Sequence, residues 1–391
     1  FSFLDLPTFY FCLWKMSVSY SWMGSLRRCT RVQRLTRDRN SMSIRLNNIS
    51  SSLLRKFSSV SIETHPIVDC KPLLDGKLLP ETLDRMKEAL KERGYFYASN
   101  CSVMDKDYID KVYAYHDAVH SLPITTKREF AAPKGSYTGL DLGSEYAEDD
   151  YEPGTLSSVR AWDYSRHRHR EHESPKYPEK DILDVGFAEF VDDLYARQNI
   201  LGSALMKAFA VMLGLPEGTF EKSFNDGDMG TIRLLYYPGH NPENEMQPDM
   251  GISAHTDFEV FTLMHQNAPG LQFLMPGNSS EWIDAPVADE FVVIVGDVIE
   301  RYTNGELKAT PHRVLQLPHQ RRSIIRFNAL HPEALIQPLP QFISPENPPR
   351  YTPVKMKTHM RTTIENLRQG KGAWDPDTQT SKTATYVYDK P

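Results

Sequence analysis

Between residues 229 and 330 the apolar residues stop recurring at helical spacing and begin to alternate. They do so in seven short runs: TIRLLYYP, FEVFTLMHQ, LQFLMP, EWIDAP, EFVVIVGDVIERY, HRVLQLP and RRSIIRFNAL. Alternation with period two is the pattern of a strand with one face on a core. PGNSS and TNG punctuate the runs, and Asn304-Gly305 reads as a hairpin turn. So many short strands in so few residues predict a sandwich or a jelly roll. The expected fold class is α+β with a mainly β core, a double-stranded β-helix (jelly roll) flanked by N-terminal and C-terminal helices.

The flanks carry helical spacing. Residues 80–94 begin with Pro80, line Leu83, Met86 and Leu90 on one face and stop at Gly94. YFYAS then reads as a strand. Residues 103–123 read as a second helix with Ile109, Val112, Tyr113, Ala118 and Val119 as core candidates, and residues 181–213 as a long third. Residues 353–367 place Met356, Met360, Ile364 and Leu367 on one face. Between these, residues 134–180 are polar and read as a long surface excursion that could act as a lid. The divisions expected are a basic tail or transit peptide at 1–60, an N-terminal helical and strand region at 65–180, a jelly-roll domain at 228–333, and a C-terminal helix and polar, loose tail at 350–391.

Composition narrows the function classes. The chain is 40% hydrophobic and 25% charged, with a net charge of −6, which gives no electrostatic reason to expect nucleic acid as a partner. No apolar run approaches the ~20 residues that span a bilayer, so no membrane partner is expected. Cys12, Cys29, Cys70 and Cys101 are scattered without a Cys-x-x-Cys, against a disulfide framework and for a reducing, intracellular setting. Cytoplasm is the default. Residues 42–61 could form a basic amphipathic helix of the kind that addresses mitochondria, with a disordered basic tail as the alternative. Met16, Met23 and Met42 are candidate starts. Oligomeric state is not legible.

The chemistry gathers around SAHTDFEVF. His255 and Asp257, two apart in an extended stretch, point to one side just before the run at 258–266. His312 opens a β run downstream, and a jelly roll can bring the two strand starts together. Two imidazoles and a carboxylate on one face form the facial triad of non-heme Fe(II) oxygenases, with three positions left for co-substrate and O₂. Zinc on the same ligands is the rival. Arg321 and Ser323 again share a strand face. An inward guanidinium needs an anionic partner, and a dicarboxylate would supply one bidentately. That pair favours iron and an oxoacid over zinc. His167, His169 and His172 sit among arginines that would repel a cation, so they read as a solvated face. Asp297 reads as a structural hydrogen bonder at a turn.

Taken together, HPIVDC, KERGYFYASN, IRLLYYPG, SAHTDFEVFTLMHQ, GLQFL, IVGDVIERYTNGELKATPHRV and RRSIIRF resemble the isopenicillin-N-synthase-like branch of the Fe(II)/2-oxoglutarate-dependent dioxygenases. The likeness runs from His65 to Asn366. It implies that His255, Asp257 and His312 hold Fe(II), that Arg321 and Ser323 bind the 2-oxoglutarate carboxylate, and that Tyr237 also reaches the co-substrate. Many members carry Asn where this chain has Leu235, which weakens the case for polar support from that strand. The implied activity is hydroxylation, desaturation or cyclisation of a small-molecule substrate, of the kind found in secondary metabolism. It would consume O₂ and 2-oxoglutarate and release succinate and CO₂, with ascorbate as a candidate reductant. The alternatives are an oxidase of the isopenicillin N synthase type that does not use 2-oxoglutarate, and a non-catalytic jelly-roll binding protein.

Overall fold

Each of the seven runs supplies a strand, and strands from the N-terminal half join them. In chain order the strands are β1 (Ile67–Asp69), β2 (Tyr95–Ser99), β3 (Gly139–Leu140), β4 (Ala147–Glu148), β5 (Leu156–Ser157), β6 (Arg160–Tyr164), β7 (Thr231–Tyr237), β8 (Met250–His255), β9 (Phe261–Gln266), β10 (Leu271–Leu274), β11 (Trp282–Asp284), β12 (Phe291–Val295), β13 (His312–Leu315) and β14 (Arg321–Asn328). A major sheet runs β1-β2-β12-β9-β14-β7-β6-β3 and a minor sheet β11-β10-β13-β8-β5-β4. The computed structural model describes residues 61–131, 139–140, 147–148, 151–152, 154–165, 186–225, 227–239, 250–277, 280–372, 374–375, 377–378, 380–386 and 388. These belong to one compact unit, Ile49–Pro391. The basic segment 1–60, the histidines 167, 169 and 172, and residues 181–185 lie outside the described residues.

Alternation sorts each strand of the major sheet between two cores. Val292 and Ile294 of β12 pack inward with Leu235, Met264 and Ile325, and with Ile252, Phe273 and Val314 of the minor sheet. Phe291, Val293 and Val295 of the same strand face outward into a second core built with the helices. With both faces covered, β12 reads as an unbroken apolar run, FVVIV. The five longer helices are α1 (Pro80–Glu92), α2 (Lys106–His120), α3 (Phe187–Met212), α4 (Asp297–Tyr302) and α5 (Met356–Arg368). Asp105 caps α2 by accepting from the Tyr108 backbone N–H at 2.9 Å. α3 covers the outer face of the major sheet, with Phe209 stacked on Phe261 at 5.1 Å. Glycine at position 202 permits that approach, because a Cβ there would stand 2.7 Å from Asn328 Oδ1.

Several sequence expectations need correction. The run EFVVIVGDVIERY is a strand only to Val295; Asp297–Tyr302 is helical. A short apolar run does not distinguish buried strand from buried helix. Asn304-Gly305 is not a hairpin turn. It follows the C-terminus of α4 in the left-handed region, φ 50° and 85°, and the Asn304 amide donates to Pro348 O at 3.1 Å. Part of 134–180 is not a surface excursion: β6 pairs with β7 along five residues, burying Trp162 and Tyr164. The tail is not wholly loose, since Ser381 is buried and donates to Asp297 at 3.0 Å. Asp297 is thus a buried hydrogen bonder, its carboxyl pushed up to about 7 by burial first and by the nearby Glu300.

The outer face of β14 is held by a buried ionic network. Arg326 Nη2 donates to Asp228 Oδ1 at 3.0 Å and to the Tyr195 hydroxyl at 2.9 Å, while that hydroxyl donates to Asp228 Oδ2 at 2.7 Å. Removing one member leaves an uncompensated buried charge, which costs roughly 3–5 kcal/mol. Asp228→Ala is therefore expected to lower the unfolding free energy by about that amount in a denaturant titration. A change below about 1 kcal/mol would mean that Arg326 finds solvent or another partner.

Candidate active site

The two histidines meet because β13 runs antiparallel to β8, and His312 is the register partner of His255. His255 therefore ends a strand rather than preceding one, as antiparallel pairing requires when the partner histidine opens its strand. Asp257 lies in the loop after β8, and β9 begins only at Phe261. The start of α4 fixes that loop. The Asp297 N–H donates to Asp257 O at 2.8 Å, the Gly296 N–H to Val260 O at 3.1 Å, and the Val298 N–H to Glu259 O at 3.1 Å. Position 296 admits only glycine, since a Cβ would sit 2.2 Å from Glu259 O.

One ligand atom from each of the three side chains falls within 4.8 Å of the others, the only such group among the described residues. All three residues are buried. His255 Nδ1–H donates to Ser253 O at 2.8 Å and His312 Nδ1–H to Thr310 O at 2.9 Å. Each bond fixes the tautomer and leaves the Nε2 lone pair free. Both Nε2 atoms lie 3.8 Å from Asp257 Oδ1. The Thr262 hydroxyl donates to the other oxygen, Asp257 Oδ2. Burial, then the neighbouring His312, lowers the His255 pKa to about 3, so its imidazole is neutral as a metal ligand must be. Two imidazole nitrogens and a carboxyl oxygen converging on one point fit a divalent metal with open positions. The Tyr151 ring stacks on His255 at 4.0 Å and 13°.

Arg321 and Ser323 both point into the barrel, at 2% and 0% exposure, while Arg322 turns outward to pair with Asp117. Arg321 Nη2 donates to Gln266 Oε1 at 2.9 Å. Its Nε and Nη1 and the Ser323 hydroxyl find no acceptor or donor among the described residues. Buried polar groups are rarely left so, and burial pushes the Arg321 guanidinium below its ordinary range. A buried cation and hydroxyl lacking partners fit a carboxylate. Tyr237, the register partner of Arg321, lies with its ring 4.8 Å from the guanidinium carbon. Leu235 is the register partner of Ser323 and is apolar.

A cleft opens beside Asp257, lined by Tyr151, Arg233, Phe258, Glu259, Phe327 and Met360. Arg233 faces it while bound bidentately to Asp163, at 2.7 and 2.9 Å. Burial first, then the Asp257 carboxylate, pushes the Glu259 carboxyl up to about 8, so at neutral pH it is mainly a neutral acid able to donate. Sequence reasoning missed Gln266, Thr262, Glu259 and Asp163. The alternation Thr262-Met264-Gln266 on one face of β9 could have flagged two of them.

Residues 229–329 match the family model of the 2OG-Fe(II) oxygenase superfamily. Codeine O-demethylase of Papaver somniferum is 27% identical over 341 residues, 84% of this chain and 88% of the relative. Two structures of one full-length Neurospora crassa protein share the fold. Its complex with alpha-KG has a TM-score of 0.67 at 24% identity, and its complex with alpha-KG and thymine 0.66 at 23%. In both, the match covers 78% of this chain and 96% of the Neurospora chain.

Proposed function

We infer the roles of individual residues from a plain premise: this chain belongs to the 2OG-Fe(II) oxygenase superfamily and is an Fe(II)- and 2-oxoglutarate-dependent oxygenase. His255 Nε2, Asp257 Oδ1 and His312 Nε2 would hold the iron. Bound there, ferrous iron supplies activation of O₂ coupled to decarboxylation of 2-oxoglutarate to succinate and CO₂. Arg321 and Ser323 would grip the distal carboxylate by charge-assisted hydrogen bonds, with Tyr237 closing over it. The carbonyls of Ser253 and Thr310 hold the imidazoles in the metal-binding tautomer, and Thr262 orients the carboxylate.

The substrate would be a small organic molecule seated in the cleft beside Asp257, and one of its C–H bonds would be oxidised by hydroxylation, desaturation or ring closure. Thymine in the Neurospora crassa complex and codeine in the name of the demethylase support a substrate of that scale. Phe258, Phe327 and Met360 offer an apolar wall, and Glu259 with the Arg233–Asp163 pair a polar end. The observation that carries this reading is the convergence of three metal-ligating atoms in the same barrel as a buried arginine with two unsatisfied nitrogens. It is tested by counting products with ascorbate as reductant: one succinate per substrate molecule oxidised. Turnover should be lost on chelation and restored by Fe(II) but not Zn(II). Oxidation without succinate would point to the oxidase reading.

For localisation, we place the chain inside the cell, in the cytoplasm unless residues 42–61 direct it to mitochondria. A fluorescent fusion to that segment decides between the two.

A further inference from the structure

We propose that Gln266 is a positioning residue for the co-substrate, one that holds the Arg321 guanidinium through Nη2 so that its remaining N–H groups meet the distal carboxylate of 2-oxoglutarate. The inference rests on the function proposed above and adds a residue to it.

Gln266 ends β9 and is the register partner of Ser323 across β14, so it stands diagonal to Arg321 on the barrel's inner face. It is buried at 3% exposure. A carboxamide can be turned either way, but here its surroundings choose. Nε2 donates to Pro286 O at 3.1 Å and to Ala285 O at 3.3 Å. A flipped amide would set Oε1 against two carbonyl oxygens, so Oε1 is fixed toward Arg321, 2.9 Å from Nη2. The side chain is therefore an oriented acceptor, anchored to the segment before β12.

Two features make that acceptor suited to its place. It is neutral, so it aligns the guanidinium without cancelling the charge that would attract a carboxylate. It engages one nitrogen only, leaving Nε, Nη1 and the Ser323 hydroxyl without partners among the described residues. On the other side of β14, Leu235 offers no polar group, so the polar support that strand lacks comes from β9. Tyr237 also meets the guanidinium, with its ring 4.8 Å from the guanidinium carbon and its hydroxyl as a further hydrogen-bond partner, but among the described residues only Gln266 ties Arg321 to the backbone carbonyls before β12.

The test is titration calorimetry of oxygen-free, Mn(II)-loaded protein with 2-oxoglutarate and with 2-oxobutyrate, which lacks the distal carboxylate. Gln266→Met, close in shape but unable to accept, is expected to weaken 2-oxoglutarate about 10-fold or more, the scale of one hydrogen bond to a charged group. Binding of 2-oxobutyrate should change less than about twofold. Gln266→Glu, which sets a carboxylate against Arg321, should weaken 2-oxoglutarate further still. Because the ratio of the two affinities is read, a fraction of misfolded chains does not imitate the effect. Unchanged 2-oxoglutarate affinity in both variants, or equal losses for the two oxoacids, would overturn the proposal. A wild-type protein that does not bind 2-oxoglutarate would instead overturn the function on which it rests.

Discussion

His312→Ala abolishes turnover and metal binding together. On the proposed function the imidazole would supply one of three protein ligands, and its removal would leave two groups on a single short segment, His255 and Asp257, to hold the ion. Changes to groups that merely orient a ligand cost roughly 10–100-fold in metal affinity or activity, so loss of a ligand should exceed about 100-fold in both. The fold should survive, because the His312 side chain hydrogen-bonds to Thr310 O and its backbone pairing with β8 and β10 does not depend on the side chain. The measurement is equilibrium Fe(II) or Mn(II) binding beside succinate release, with circular dichroism to show that the variant is folded. Retained activity in a folded variant would remove the triad from the chemistry and favour a jelly roll that binds without catalysis.

Arg321→Met raises the dissociation constant of 2-oxoglutarate by on the order of 100-fold. Truncating one partner of a buried, hydrogen-bonded charge pair costs about 2–5 kcal/mol, and the distal carboxylate would have only Ser323 and Tyr237 left. The same change should stabilise the co-substrate-free protein, or leave it neutral. In that state Arg321 is a buried cation whose Nε and Nη1 have no acceptor among the described residues, and replacing an uncompensated buried charge by an apolar side chain removes a desolvation cost. Opposite signs for affinity and stability mark a group kept for binding rather than for folding. Thermal melts without co-substrate and calorimetric titration with it read the two effects. A variant that binds 2-oxoglutarate normally would assign the carboxylate to another cation.

The sequence exposed β7 and β9 to β14, though not β6 or β8, and part of the polar lining, because period-two alternation records which side chains share a face. That is how Arg321 with Ser323, and His255 with Asp257, were legible as pairs. What stayed hidden depends on contacts between strands. Gln266 looks like any polar residue ending an apolar run until β9 is laid beside β14. Asp163 lies in a polar stretch and acquires meaning only when β6 pairs with β7 and meets Arg233. The helix Asp297–Tyr302 was unreadable for a local reason: DVIERY is too short for a helical period to outweigh the preceding FVVIV. Its N-terminal N–H groups nonetheless fix the Asp257 loop, so one of the three proposed metal ligands is placed by an element that alternation concealed.

Anomalous diffraction at the iron edge, from crystals grown without oxygen in Fe(II) and 2-oxoglutarate, is the most direct measurement. One peak per chain, enclosed by His255, Asp257 and His312, with a dicarboxylate reaching from it to Arg321 and Ser323, is the predicted map. Iron bounded by other side chains, or a dicarboxylate turned away from Arg321, would contradict it.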